Sequence, residues 1–220
     1  MRVVILGVTT GLGTCLARAL PEYGCTPVGL IRKAAQREPL RAAGVETVLL
    51  DTASDRVRDG LREAVGGAGA VVLAAGTGTG PGSLGAATRS VSPAGLLAEA
   101  AERAGVRRYA MVSALLPDDG VRAELGDLLP AYLREKENAE RDLRERDLDW
   151  CALRPGRLDD TAATGRVRVR AGTDPRPEGR ISRADLATTL CAILTAPRPV
   201  RGTLAVCAGD VPIREAVAEM

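Results

Sequence analysis

The chain opens with Arg2-Val-Val-Ile-Leu6, passes through Gly7-Val-Thr-Thr-Gly11-Leu-Gly13, and continues as an amphipathic run from Thr14 to Leu20. The first segment is continuous and apolar, which is typical of a strand buried on both faces of a parallel sheet. Glycines in the turn let the backbone approach a diphosphate, and the start of the following helix favours its negative charge. This order predicts a dinucleotide-binding unit, although ordinary tight turns also contain glycines this close together.

Further apolar segments alternate with helical patterns along the whole chain. Strands are predicted at Thr26–Ile31, Glu46–Leu50, Ala70–Ala75, Arg108–Ser113, Asp149–Leu153 and Thr203–Val206. Helices are predicted over residues 34–43, 55–65, 91–104, 130–146 and 183–194, and from Pro212 onward. The alternation predicts an α/β fold, a Rossmann-type doubly wound parallel sheet with right-handed crossovers.

The length of 220 residues fits one domain of this type. We expect residues 1–154 to form the cofactor-binding core of that domain 1–220. Residues 155–220 are expected to form a small C-terminal substrate lobe with a closing strand and helix. The span 155–179 is rich in glycine, proline and arginine and is predicted to be irregular, at the sheet edge where such folds bind ligands.

Composition limits the possible partners. Lysine and arginine number 30 against 28 aspartates and glutamates, and no apolar stretch approaches the roughly 20 residues of a membrane span. We therefore expect a cytoplasmic protein, a monomer or homodimer, that binds a small-molecule substrate and neither nucleic acid nor membrane. Seven late arginines either steer an anionic substrate or form a solvated surface: Arg157, Arg166, Arg168, Arg170, Arg176, Arg180 and Arg183.

The chain contains no histidine, and its five cysteines form no Cys-x-x-Cys pair. The first absence excludes Ser-His-Asp and Cys-His mechanisms, since no imidazole is available as a base. We expect no metal site and interpret the cysteines as small buried thiols. Proton transfer must then use a carboxylate, a lysine or one of three tyrosines.

The end of the second predicted strand bears on the choice of nicotinamide cofactor. An NAD-specific site usually has an acidic residue there for the ribose 2′-hydroxyl, whereas this chain has Arg32 and Lys33. Two cations favour the 2′-phosphate of NADP over NAD, or else form a solvated pair. Asp51, after the third strand, either contacts the adenine or caps the next helix. The small residues Ala74, Ala75 and Gly76 would let the adenosine side of the cofactor lie close to the backbone.

Tyr132 and Lys136 form the second candidate constellation. Only two of the 30 cationic side chains are lysines, and Lys136 lies four residues after Tyr132, on the same face of a predicted helix. An ammonium group lowers the pKa of a nearby phenol, so Tyr132 would serve as a proton donor to a substrate carbonyl. Ser113, at the end of the fifth strand, would polarise the same oxygen. The alternatives are an exposed tyrosine on a charged helix and a serine that belongs to a turn.

Together these segments resemble the short-chain dehydrogenase/reductase superfamily, in its atypical NAD(P)H-binding, NmrA-like branch related to flavin and biliverdin reductases. Arg107-Arg-Tyr-Ala-Met-Val-Ser113 is similar to the family's fifth strand and Leu148-Asp-Trp-Cys-Ala-Leu-Arg-Pro-Gly156 to its sixth. Residues 164–169, 181–185 and 209–213 are similar to its later landmarks. The resemblance implies that Pro155 and Gly156 lie beside the nicotinamide. It implies that the diphosphate is held by the turn residues Gly7, Thr9, Thr10, Gly11, Leu12 and Gly13.

Two positions depart from that family's pattern. Thr10 stands where the branch has its middle glycine, with Gly11 next to it, and Ala74 stands where the superfamily has an asparagine. The resemblance implies an NADPH-dependent reductase of a carbonyl, conjugated or flavin-like acceptor. A non-catalytic NADP(H) sensor and an NAD-dependent epimerase or dehydratase are the alternatives.

Overall fold

The computed structural model describes residues 1–50, 57–74, 92–113, 129–172, 176 and 178–220, except for the side chains of residues 129 and 132. The strands in these ranges are β1 (Arg2–Leu6), β2 (Thr26–Ile31), β3 (Glu46–Leu49), β4 (Ala70–Leu73), β5 (Arg108–Val112), β6 (Asp149–Pro155), β7 (Arg157–Asp159), β8 (Arg166–Ala171), β9 (Arg180–Ser182), β10 (Gly202–Ala208) and β11 (Val211–Pro212). The helices are α1 (Gly11–Ala19), α2 (Arg37–Ala42), α3 (Val57–Val65), α4 (Pro93–Arg103), α5 (Leu129–Arg144), α6 (Arg183–Thr195) and α7 (Ile213–Ala218). Two 3-10 turns occupy Leu20–Tyr23 and Ala34–Gln36.

Nine of the described strands form one sheet in the order β3-β2-β1-β4-β5-β6-β10-β8-β11. The seven strands from β3 to β10 are parallel, whereas β8 runs antiparallel to β10 and β11 antiparallel to β8. The strand order reverses between β1 and β4, which is where doubly wound sheets open a crevice for a ligand. The Rossmann-like α/β architecture predicted from the sequence is therefore confirmed, and the glycine turn after β1 lies at the expected place.

Two apolar clusters cover the two faces of the sheet. On the first face α1 and α6 bury Leu16 and Leu190, and on the second face α3, α4 and α5 bury Leu61, Leu97 and Leu143. Apolar residues occur on both sides of the central strands, as the continuous hydrophobic run of β1 predicted. No helix within the described ranges has the length and apolar character needed to span a bilayer.

The prediction that residues 155–179 are irregular is wrong for two segments. Residues 157–159 form β7, and residues 166–171 form β8 at the far side of the sheet. In β8 the buried Val167 alternates with the exposed Arg166 and Arg168, a period of two that is typical of a half-buried strand. The expected role of residues 155–220 in covering a substrate stays a prediction.

Asp185 explains why three late segments of the sequence belong together. Its buried carboxylate accepts hydrogen bonds from the Gly165 N–H at 2.8 Å, the Thr164 hydroxyl at 3.1 Å and the Ser182 hydroxyl at 3.0 Å. The Ile213 N–H in turn donates to the Gly165 carbonyl at 3.0 Å. Residues 164–169, 181–185 and 209–213 therefore form one hydrogen-bonded unit that fixes the start of β8 against α6 and α7.

Candidate functional site

Thr10 organises the turn between β1 and α1. It is the N-cap residue of α1, and its hydroxyl accepts from the Gly13 N–H at 3.0 Å and donates to the Gly7 carbonyl at 2.8 Å. The side chain thus folds into the turn. The N–H groups of Gly11 and Leu12, in the first turn of α1, have no carbonyl partner within the helix. They are donors of the kind that a diphosphate uses at a helix start.

Gly13 lets α1 lie directly against the end of β1. A Cβ placed on Gly13 would lie 2.1 Å from the Gly7 carbonyl oxygen and 2.8 Å from Val8 Cα, so no other residue fits there. Close packing of helix on strand is the role of the last glycine in dinucleotide-binding turns. The helix start and this close approach are the cradle of the kind that dinucleotides use, and Thr9 and Gly11 are exposed along it.

Ala74 is the described member of the predicted group at the end of β4. It is buried, and its carbonyl accepts a hydrogen bond from the Thr10 hydroxyl at 3.1 Å, so it lies beside the glycine turn. The other three predicted adenosine-side residues, Asp51, Ala75 and Gly76, lie outside the described residues. Their roles stay predictions.

Arg32 and Lys33 are exposed directly after β2. Their backbone N–H groups both donate to the side-chain oxygen of Gln36, each at 3.0 Å, which fixes the direction in which the chain leaves the sheet. Gln36 was not singled out from the sequence, because a glutamine in a charged segment gives no signal of its own. The two cations lie at the strand end that receives the adenosine ribose in this type of fold.

Ser113 and Lys136 are brought together at the carboxyl end of β5. The Lys136 Nζ donates to the Val112 carbonyl at 3.2 Å, and the side chain is only 5% exposed. Ser113 follows immediately and donates its hydroxyl hydrogen bond to Glu140 Oε1, one turn of α5 beyond Lys136. The backbone of Tyr132 lies in α5 one turn before Lys136, but its side chain is outside the described residues.

Glu140 is the centre of a buried ionic cluster that sequence reasoning missed. Its carboxylate accepts from Arg154 through Nε at 3.0 Å and Nη2 at 2.9 Å, and Arg144 lies 3.5 Å away. The Thr203 hydroxyl donates to it at 3.4 Å. In the sequence, Glu140 is one of many acidic residues on a charged helix. Arg154 carried the available signal, because an arginine that follows the apolar run Cys151–Leu153 within β6 requires a buried counter-charge.

Burial makes the Lys136 amine easier to deprotonate. Loss of contact with water lowers the pKa of its amine, and the charges of Glu135 and Glu140 oppose that change. A buried amine at the carboxyl end of the sheet differs from an ordinary surface lysine, which is fully hydrated. It can hold polar ligand groups, and it favours the ionised form of a neighbouring acid.

The other two tyrosines have structural roles. Tyr109 is buried on β5, its hydroxyl donates to the Ala94 carbonyl at 3.1 Å, and burial raises its pKa further. The ring of Tyr23 packs against the Arg214 guanidinium at 5.0 Å. Neither phenol is available as a proton donor at the carboxyl edge of the sheet.

Gly156 has a packing role that the structure makes explicit. A Cβ at this position would lie 2.5 Å from the Gly179 carbonyl oxygen, and the Gly156 N–H donates to the Val206 carbonyl at 2.9 Å. Pro155 and Gly156 therefore form the close junction between β6 and the C-terminal segment, at the carboxyl edge of the sheet. Their predicted contact with the nicotinamide stays a prediction.

A family model described as NAD(P)H-binding matches residues 7–197. The chain belongs to this NAD(P)H-binding family. It is 29% identical over 223 residues to an uncharacterised sugar epimerase, YhfK, of Bacillus subtilis, with 100% of each chain covered. Among solved structures it is similar to a protein named as an NAD-dependent epimerase/dehydratase from Bacillus halodurans, with 27% identity, 100% of each chain covered and a TM-score of 0.81.

ChuY, an anaerobillin reductase from Escherichia coli O157:H7, is a further similar structure. Its identity is 26%, with 96% of this chain and 98% of that chain covered, and the TM-score is 0.73. Relatives of this member of the NAD(P)H-binding family thus carry the names of epimerases and of a reductase. The cradle of Gly11, Leu12 and Gly13 fits the nucleotide that the family name specifies.

Proposed function

We propose that the protein is an NADPH-dependent reductase of a carbonyl or conjugated, flavin-like small molecule. The observation that supports this most directly is the placement of Lys136. Its buried amine lies on the last carbonyl of β5, beside Ser113 and one helical turn after Tyr132. Lys136 and Ser113 thus lie at the carboxyl edge of the sheet, and Tyr132 belongs to the helix that carries Lys136. All three residue types can donate or accept a proton.

Tyr132 and Lys136 have separate roles in the proposed reaction. NADPH, when bound, would supply the hydride that the acceptor carbon needs. Tyr132 donates the proton that the carbonyl oxygen takes up, and solvent restores that proton. Lys136 stabilises the phenolate that forms and holds the hydroxyl groups of the nicotinamide ribose, as a compact ammonium can do. The product is the alcohol. Its new C–H bond takes the hydride with both electrons, and its O–H bond takes the proton from Tyr132.

Ser113 would donate to the same substrate oxygen. In the structure its hydroxyl donates to Glu140, so the proposed role requires rotation of the hydroxyl toward the substrate. Glu140 would keep Arg154 and Thr203 as partners after that rotation. The carboxylate therefore holds the Ser113 hydroxyl in one defined orientation until a stronger acceptor, the developing alkoxide, is present.

The cofactor preference for NADPH is supported by Arg32 and Lys33. Both are exposed after β2, where a 2′-phosphate would lie, and Gln36 holds their backbone. Arginine offers a planar pair of donors that matches a phosphate. An NAD-dependent site would have a carboxylate at this place.

The decisive experiment compares the Tyr132→Phe variant with wild type for NADPH consumption against quinones, flavins and small ketones. Turnover of carbonyl acceptors is expected to fall by about 10²-fold or more, since general acid catalysis contributes about that factor. The NADPH Kd should stay within about twofold. Tyr23→Phe, which changes a phenol that packs on Arg214, is the matched control and should retain full turnover.

The outcomes separate the alternatives. Unchanged carbonyl turnover in Tyr132→Phe would remove the tyrosine from the reaction. Turnover of flavins alone, unaffected by the variant, would point to acceptors that take their proton from solvent. Tight NADPH binding without any turnover would indicate a sensor. The epimerase names of two relatives favour a second candidate, which would interconvert a sugar substrate with no net consumption of cofactor.

A further inference from the structure

We propose that Arg183 binds the diphosphate of the cofactor together with the N–H groups at the start of α1. Arg183 is the first residue of α6, which packs along α1 on the first face of the sheet. The inference depends on membership of the NAD(P)H-binding family and not on the proposed reaction. It concerns a residue that lies 170 positions beyond the glycine turn and outside its sequence motif.

The side chain of Arg183 crosses the beginning of α1. A Cβ placed on Gly11 would lie 3.2 Å from Arg183 Cδ and 3.3 Å from its Nε. Any side chain at position 11 would press on the arginine stem, so the glycine leaves room for it. The Thr10 hydroxyl folds into the turn, and the stem of Arg183 lies beside Gly11, which is still exposed.

The charges at this place favour an anion. A helix start carries partial positive charge, so a cation beside the first residue of α1 is unfavourable, and Arg183 is itself the first residue of α6. The Asp160 carboxylate balances the guanidinium through Nη1 at 2.7 Å. The Asp160 side chain is 85% exposed and that of Arg183 29%, and such pairs contribute little to stability. A diphosphate would bring two negative charges to the same place, and arginine binds phosphate oxygens in pairs.

The topology distinguishes the diphosphate from the 2′-phosphate as the anion. Arg32 follows β2, which pairs with β1 on the side that leads to β3. Helix α6 packs on α1 and α7, and its contacts with the sheet are with β5, which lies on the other side of β1 beyond β4. Arg183 therefore reaches the glycine turn from the side opposite to Arg32. Bound cofactor would replace Asp160 as its partner and join the C-terminal segment to the turn.

The test is direct binding of four ligands, NADPH, NADH, ADP-ribose and 2′-AMP, measured by calorimetry at one ionic strength. The variant R183Q keeps much of the stem length and removes the charge. We expect it to bind NADPH, NADH and ADP-ribose about tenfold to a hundredfold more weakly, as for a lost charged hydrogen bond, and 2′-AMP unchanged. The control R180Q removes a neighbouring cation, paired with Asp159 at 3.9 Å, and should bind all four like wild type.

Two results with R183Q would overturn the proposal. One is unchanged affinity of folded R183Q for ADP-ribose. The other is a loss confined to NADPH and 2′-AMP, which would assign Arg183 to the 2′-phosphate. Asp160→Asn gives an independent check at an exposed position, where the fold is not at risk. Removal of the competing carboxylate should lower the Kd of ADP-ribose severalfold. A higher Kd would contradict the replacement of Asp160 by the diphosphate. Turnover enters none of these measurements, so they succeed or fail separately from the proposed reaction.

Discussion

Arg154 and Glu140 form a two-point ion pair in the protein interior, with Nε 3.0 Å from Oε1 and Nη2 2.9 Å from Oε2. The pair joins β6 to α5 across the second face of the sheet. Ser113 donates to the same carboxylate, so the orientation of a predicted site residue depends on this pair. A buried pair of this kind adds little net stability compared with apolar residues, but it is costly to break.

Replacing Glu140 with glutamine should therefore be strongly destabilising. Glu140→Gln keeps the shape of the side chain and leaves Arg154 buried without a counter-charge, which costs about 3 kcal/mol or more. Urea unfolding would measure the loss. The control is Asp147→Asn, which breaks the similarly two-point pair of Asp147 with Arg107 at the surface and should barely change stability, since water screens it. Equal effects of the two variants would contradict the importance of burial.

Gly13 and Gly60 should respond in opposite directions to the same substitution. An added Cβ at Gly13 would lie 2.1 Å from the Gly7 carbonyl oxygen, so Gly13→Ala must displace backbone and should cost about 3 kcal/mol with loss of NADPH binding. The nearest atom to a Cβ on Gly60 is Leu50 Cδ2 at 3.8 Å, and Gly60 lies within α3. Gly60→Ala should stabilise by about 0.5–1 kcal/mol with unchanged binding. Thermal unfolding and NADPH titration would test both.

The sequence was sufficient for the parallel core of the fold because each central strand is a continuous apolar run with a turn after it. It was insufficient for β8, where valines alternate with arginines in a segment that also contains several turn residues. It was insufficient for Glu140 as well, because a carboxylate on a charged helix is recognised as buried only when the facing Arg154 and Thr203 are known. The proximity of Lys136 to the end of β5, where Ser113 follows Val112, was easier to expect, because both the strand and the helix have clear apolar patterns.

Arg32→Glu should weaken the binding of NADPH far more than that of NADH. The carboxylate would repel a 2′-phosphate and accept a hydrogen bond from a 2′-hydroxyl. We expect the Kd of NADPH to rise by about 10-fold or more and that of NADH to change by less than about threefold, in line with the energy of a charged hydrogen bond. Gln36 holds the backbone N–H of Arg32, so the substitution leaves the turn intact. Equal weakening of both cofactors in calorimetry would exclude a 2′-phosphate role.

The buried thiol of Cys151 should make the stability of the protein decrease at alkaline pH. Burial raises the pKa of its thiol to about 12, from an ordinary value of 9.0. Between those two values the unfolded chain releases a proton that the folded protein keeps, so stability falls as pH rises, by about 1.4 kcal/mol per pH unit. Cys151→Ala lacks this contribution. Urea unfolding at pH 7, 9, 10 and 11 should show that the free energy of unfolding of Cys151→Ala rises relative to that of wild type above pH 9. A difference that stays constant with pH would contradict a raised thiol pKa.

Replacing Lys136 with methionine should raise the stability of the protein and abolish its turnover. Burial lowers the pKa of its amine, so the unfolded chain binds more protons at pH values between the lowered pKa and the ordinary one. Wild type should therefore gain stability as pH rises through that interval, and Lys136→Met should not. At pH 7 the apolar variant avoids the desolvation of a buried amine and should be more stable by on the order of 1 kcal/mol. Its turnover should nevertheless be lost, because methionine stabilises no phenolate. A variant that is less stable at pH 7 and still active would show that the amine serves the fold through Val112 and not the reaction.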